Sequence, residues 1–295
     1  MSSPSVRTRQ PVTAALLILL ATVFIAASMT MAKSLAASGL HPLQVSHARF
    51  SAALMLFALG GLVLRPRFQR VQWRWHLGRS GFGWLGVTLM FAAVAFIPMA
   101  DAMAISFLNP VFAMILALPL LGERIGPLRW RAAALSLAGA LILLRPTPAS
   151  FDPAALLALA AALAIGFEII FIKKLADSEP PFQILLINNG IGALIATLAV
   201  IPVWQNPDPG LLIQLGMVGW LMALAQICFI NGMARGEASF LAPISYATLI
   251  FATLYDFVFF DVLPGWSTWA GAAVILTGAA LLTLSELRRK AEVPG

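Results

Sequence analysis

Ten long apolar runs divide this chain, separated by short stretches that hold nearly all of its charge. They lie near residues 12–32, 43–64, 80–98, 102–121, 129–144, 153–172, 182–203, 211–233, 238–260 and 267–285. Each is about the length a helix needs to cross a hydrocarbon layer. A run such as LLALAAALAIGFEIIFI is apolar on every face, whereas a barrel strand would alternate apolar and polar residues. Only helices and closed barrels satisfy their backbone hydrogen bonds in lipid, so the pattern predicts an all-α integral membrane protein with ten transmembrane helices.

A phrase recurs along these runs. FIPMADAMAISFLNP begins at Phe96 and FINGMARGEASFLAP at Phe229, and both end in Ser-Phe-Leu-x-Pro. Other pairs follow with small gaps: Trp130 and Gly139 with Trp269 and Gly278, Lys33 with Lys173, Ser38 with Ser178, and Gln44 with Gln183. The first five spans thus repeat as the last five. Five is odd, so the second copy enters the membrane from the opposite side. The expected organisation is two inverted five-helix repeats, 12–145 and 153–285, with termini 1–11 and 286–295. Transporters built this way place their site near the bilayer midplane, between the halves. Pro110 and Pro243 interrupt spans four and nine at equivalent places. Each removes a helix donor and crowds the carbonyl four residues back, Ser106 or Ser239. Both are expected as hinges, with Asn109 beside the first on a cavity wall; a packing kink without ligand contact is the alternative.

Composition agrees. The chain is 60% hydrophobic and 11% charged, with a mean hydropathy of +0.91. Its net charge of +7 could suggest nucleic acid, but Lys and Arg collect in every second gap and at both ends. Arg65, Arg67, Arg70, Arg74 and Arg79 fill the gap between spans two and three, and Arg288, Arg289 and Lys290 close the chain. This asymmetry puts both termini in the cytoplasm and leaves no call for a nucleic-acid partner. The single cysteine, Cys228, falls inside span eight. Gly81, Gly83 and Gly86 match the dinucleotide fingerprint, but they open a span after an Arg-rich gap rather than following a strand. Close helix contact is the better use for them. His41, His47 and His76 lack metal-ligand spacing, and no nucleophile elbow or Walker loop occurs. Catalysis, ATP-driven pumping and a bound metal are therefore not expected.

Polar groups inside spans are costly, about 2.5–3.5 kcal/mol each on insertion scales, and so draw attention as site residues. Glu168 lies in span six, Arg49 in span two, and Asn188 and Asn189 in span seven. The repeat maps Arg49 onto Asn188 and Ser28 onto Glu168, so both halves carry polar groups at equivalent depths. These residues either line a central site or form an internal ion pair. Gln226 and Tyr246 are further hydrogen-bonding candidates on spans eight and nine, and Asp101 and Asp256 are expected at an interface or outer vestibule.

The ten spans, the repeated S-F-L-x-P phrase and the run Pro110…Gly122-Glu123…Trp130…Gly139 resemble the drug/metabolite transporter superfamily, EamA type. The resemblance covers nearly the whole chain and implies a cofactor-free secondary transporter of the bacterial inner membrane, moving small molecules by alternating access. Its Met- and Phe-rich spans are compatible with the YddG-type amino-acid exporters, which makes an exporter of amino acids, aromatic ones included, the leading expectation. Many members carry a Trp within span one, where this chain reads ATVFIAASMTMAK. A multidrug exporter is the second expectation; a non-transporting scaffold or intramembrane enzyme is the alternative from another class. Expected partners are a small-molecule substrate and membrane lipid, with no oligomer required.

Overall fold

The computed structural model describes residues 11–121, 126–144, 152–176, 178–233, 235, 244–245 and 247–292. All regular structure among them is helical. The helices are α1 Pro11–Ala37, α2 Pro42–Leu64, α3 Trp73–Phe96, α4 Met99–Ser106, α5 Asn109–Leu121, α6 Pro127–Leu144, α7 Ala155–Ala176, α8 Pro181–Val200, α9 Pro209–Met233, α10 Ala247–Phe260 and α11 Trp266–Glu292. They occupy all ten predicted span positions. Seven stretches among the described residues are long and apolar enough to cross a membrane, counting Met99–Leu120 as one. Outward-facing side chains are large and apolar, Val63, Phe259 and Trp266 among them. Such a surface suits lipid and would aggregate in water.

Local chemistry sets the helix starts. His41 caps α2 by accepting the Leu43 N–H at 3.2 Å, and Pro42 fills the first turn, where its missing donor does no harm. Two boundaries differ from the sequence expectation. Helix α1 continues past Met31 to Ala37, which places Lys33 inside it. Helix α3 begins at Trp73, so Arg74 and Arg79 belong to a helix and not to the basic gap. The reason is the row His76, Arg79, Ser80, Gly83 and Gly86, which continues the buried face of the span one turn after another.

Span four is broken. Helix α4 ends at Ser106, and α5 starts at Asn109 with Pro110 in its first turn. The Ser106 carbonyl, four residues before the proline, accepts the Asn109 side-chain N–H at 2.8 Å. Asn109 thus supplies the donor that Pro110 lacks. Pro243 and Tyr246, the remaining candidates from spans four and nine, lie outside the described residues.

Several helix partnerships have a counterpart when the two halves are exchanged. α1 packs on α9 and α10, while α7 packs on α3, α4 and α5; α2 packs on α9, while α8 packs on α3. The pairs α2–α8 and α6–α11 each join equivalent helices. At the last pair, a Cβ added to Gly139 would sit 2.7 Å from the Ile275 amide nitrogen. One added to Gly278 would sit 2.8 Å from that of Ser136. Both glycines permit the backbone approach on which apolar helices depend in lipid. Gln44 and Gln183 behave alike too. The Gln44 amide brackets the Gln205 backbone, donating to its carbonyl at 2.7 Å and accepting its N–H at 3.2 Å. The Gln183 amide brackets the Gln69 backbone, accepting its N–H at 2.7 Å and donating to its carbonyl at 3.2 Å. Each glutamine fastens the segment that follows the other half's second span.

Candidate functional site

A cavity of about 580 Å³ opens between α1, α3, α7, α8 and α9. Its walls are aliphatic: Ile25, Val87, Ile165, Ile172, Ile184, Leu185 and Met222 contribute, with Phe229. Set into them are Arg79, Glu168, Gln226 and, at one end, Glu179. An apolar pocket of this size with a few convergent polar groups is the usual form of a small-molecule site.

Glu168 projects from α7 onto α3, where Gly83 leaves it room. A Cβ at Gly83 would lie 2.8 Å from Glu168 Oε1. Arg79, one turn earlier on α3, brings Nη2 to 3.8 Å from the same oxygen, close enough for an ion pair but beyond a hydrogen bond. Beside them, Arg49 on α2 is buried, with its guanidinium 3.9 Å over the Phe50 ring. Its Nη1 donates to Asn189 Oδ1 at 3.3 Å, and Asn189 donates onward to the Leu185 carbonyl at 2.8 Å. The charges of Arg49, Arg79 and Glu168 act on one another. Around this group several buried polar atoms have no hydrogen-bond partner among the described residues: Arg49 Nε, Arg79 Nε, Trp84 Nε1, Asn188 Oδ1 and Gln226 Oε1. Unmet buried groups cost about 1–3 kcal/mol each, which is hard to reconcile with a purely structural cluster.

The fold therefore brings together Glu168, Gln226, Arg49 and Asn189, with Asn188 buried on the same helix as Asn189. Asn109 stands apart, at the break in span four. Arg79 was missed. It was counted with the Arg-rich gap, although its three- and four-residue spacing from His76 and Gly83 marks one helix face.

A second charged lining residue was missed as well. Glu179, between α7 and α8, is buried and fully engaged. Its Oε1 accepts the Gln72 N–H at 2.8 Å; its Oε2 accepts Gln183 Nε2 at 2.6 Å and lies 2.7 Å from His76 Nε2. Burial alone would push this carboxyl up. Hydrogen bonds from His76, the Gln72 backbone and Gln183 outweigh it and hold the group below its ordinary range.

Asp256 corrects another expectation. It is no vestibule residue: it is 1% exposed, and its Oδ1 meets Lys33 Nζ at 2.5 Å. Its Oδ2 accepts the N–H groups of Met99, at 2.5 Å, and Ala100, at 3.2 Å. Those amides are the free donors at the start of α4, a position that favours an anion.

Residues 12–145 and, again, residues 152–284 match the EamA-like transporter family. A riboflavin transporter of Rhizobium johnstonii is 33% identical over 226 residues, covering 74% of this chain and 72% of that one. A riboflavin transporter of Vibrio cholerae is 29% identical over 260 residues, 85% of this chain and 86% of that one. An S-adenosylmethionine uptake transporter of Rickettsia bellii is 27% identical, with 72% of each chain covered. A protein known by its crystal structure, 23% identical, shares the fold with a TM-score of 0.65 over 96% of this chain and 100% of that one.

Proposed function

We propose, from the premise that this chain belongs to the EamA-like transporter family, that it is a secondary transporter whose substrate occupies the Glu168–Arg79 cavity. The observation that carries this reading is the cavity itself: apolar walls of ligand size around buried polar atoms that no neighbouring side chain satisfies. Riboflavin is the first substrate to test, because the two relatives named for it extend over most of the chain. A flavin ring suits aliphatic walls, and its carbonyls and hydroxyls suit guanidinium and amide groups. Amino-acid export is the second reading. A carboxylate beside two guanidinium groups could engage both ends of a zwitterion.

The mechanism that fits is alternating access between two inverted halves of a multi-pass inner-membrane protein, with both termini in the cytoplasm. The exchange-symmetric helix partnerships and the two cross-bracing glutamines support it. The break before Pro110 and the equivalent Pro243 are the proposed hinges. Either half can then take the conformation of the other, and substrate shifts the balance only by binding one state better.

Counterflow into proteoliposomes tests the reading. Vesicles preloaded with riboflavin should accumulate labelled riboflavin, and Glu168→Gln should reduce the rate at least tenfold. Exchange of phenylalanine without riboflavin would favour the second reading. Exchange of neither, nor of S-adenosylmethionine, would overturn the cavity's assignment. A C-terminal reporter active only outside the cytoplasm would overturn the inverted arrangement.

A further inference from the structure

Around Arg79, which lines the cavity, and its neighbour Arg49, donors outnumber acceptors. Two guanidinium groups bring ten N–H donors between them. Against these the fold sets one carboxylate, Glu168, which stands 3.8 Å from Arg79 and within hydrogen-bonding distance of neither arginine. Among the described residues, the polar contacts of the two guanidiniums are otherwise Asn189 Oδ1 at 3.3 Å and the Ile184 carbonyl at 3.5 Å, both long. The Nε of each arginine is unpartnered, and both side chains are more than nine-tenths buried. Neither remaining carboxylate of the buried core redresses the balance. Glu179 has His76, Gln72 and Gln183 already bonded to its two oxygens. Asp256 is committed to Lys33 and the start of α4.

We infer that this cavity receives an oxyanion, a carboxylate or phosphate group on the substrate, at the lining Arg79, with the charge of the buried Arg49 behind it. The inference rests on the transport reading above and narrows its substrate class to anionic molecules, so it favours a flavin phosphate or an amino acid over riboflavin itself. A planar guanidinium binds either oxyanion through two parallel hydrogen bonds, and two such groups supply the charge that one glutamate leaves unbalanced. Glu168 is then the counter-ion that keeps Arg79 tolerable while the site is unloaded, and it yields as the substrate's anion arrives. The aliphatic walls take the rest of the molecule. The geometry favours the anionic member of any substrate pair that differs only by this group.

Two such pairs provide the test, on the full chain purified in detergent. Riboflavin 5′-phosphate is compared with riboflavin, and phenylalanine with phenylalaninamide, by equilibrium binding. The first pair reports phosphate, the second carboxylate. The expected result is at least tenfold tighter binding of the anionic member in one pair. Arg79→Gln and Arg49→Gln should each abolish that preference, and Arg79→Lys should restore part of it. Retention of a single gel-filtration peak and an unshifted Tm in Arg79→Lys distinguishes lost recognition from lost fold. Equal binding within both pairs, or no binding of either anionic probe, overturns the inference. Counterflow of the neutral probes reads the transport assignment independently, so either conclusion can fail while the other stands.

Discussion

Two ionic groups inside this protein are built in opposite ways, with the Asp256 side chain 1% exposed and that of Glu168 17%. At Asp256, every oxygen is spent: Lys33 takes one and two backbone amides take the other. The Lys33 ammonium also lies 4.5 Å over the Phe260 ring. At Glu168, the nearest cation stops at 3.8 Å, and in the same cavity Arg79 Nε and Gln226 Oε1 lack partners among the described residues. A charge pair taken out of water is tolerable when geometry and extra hydrogen bonds compensate the desolvation. The first pair meets that condition from within the fold. The second does not, and under the proposed reading the substrate supplies the compensation. The difference separates a fastening between α1, α4 and α10 from the proposed recognition site between α3 and α7.

Breaking the fastening should have the largest effect. Asp256→Ala strands Lys33 and two helix-start amides, and should lower stability by about 3–5 kcal/mol, measured as the fraction surviving denaturant titration in detergent. Glu168→Gln should invert the pattern, with transport reduced at least tenfold while stability shifts by less than about 1 kcal/mol, within the range of ordinary surface changes. A large stability loss in that variant would mean that both groups are structural. Gly83→Ala comes next. Its methyl would enter the space of the Glu168 carboxyl, so transport should fall severalfold with insertion intact. Normal flux there would show that the carboxyl moves aside freely.

Acidification probes the Glu179 cluster. The folded-state pKa of Glu179 is depressed, so the group contributes stability that is complete above its unfolded pKa, about 4.3. That contribution is lost as pH falls through the folded value. Tm should therefore drop on acidification in the native chain, and the drop should be smaller in Glu179→Gln. The weakest effect is expected at the span-four break. Pro110 begins α5, where its missing N–H would have had no intrahelical partner, so Pro110→Ala should cost less than about 1 kcal/mol. A transport change in this variant at normal stability would support the hinge; unchanged flux would leave the bend to Asn109.

Helical membrane class and the internal duplication were legible because they rest on periodicity and composition, which the solvent imposes on each segment by itself. Ser-Phe-Leu-x-Pro, Gly139 with Gly278, and Gln44 with Gln183 could be paired before any coordinate was known. Glu168, Arg49 and Asn189 could be singled out because an ionic or amide group within an apolar run is conspicuous wherever the run goes. Arg79 and Glu179 could not, since each lies where charge is ordinary, at a span's end or between spans. Their burial follows from how far α3 extends and how the segment after α7 folds against it. Nor could the fates of Asp256 and Glu168 be told apart along the chain. Both are single carboxylates in apolar surroundings. Which one is satisfied depends on whether Lys33 and the start of α4 arrive beside it, or only an arginine held too far away. Hydropathy is a property of one segment at a time, whereas hydrogen-bond satisfaction belongs to residues distant in sequence, and only the packed helices decide it.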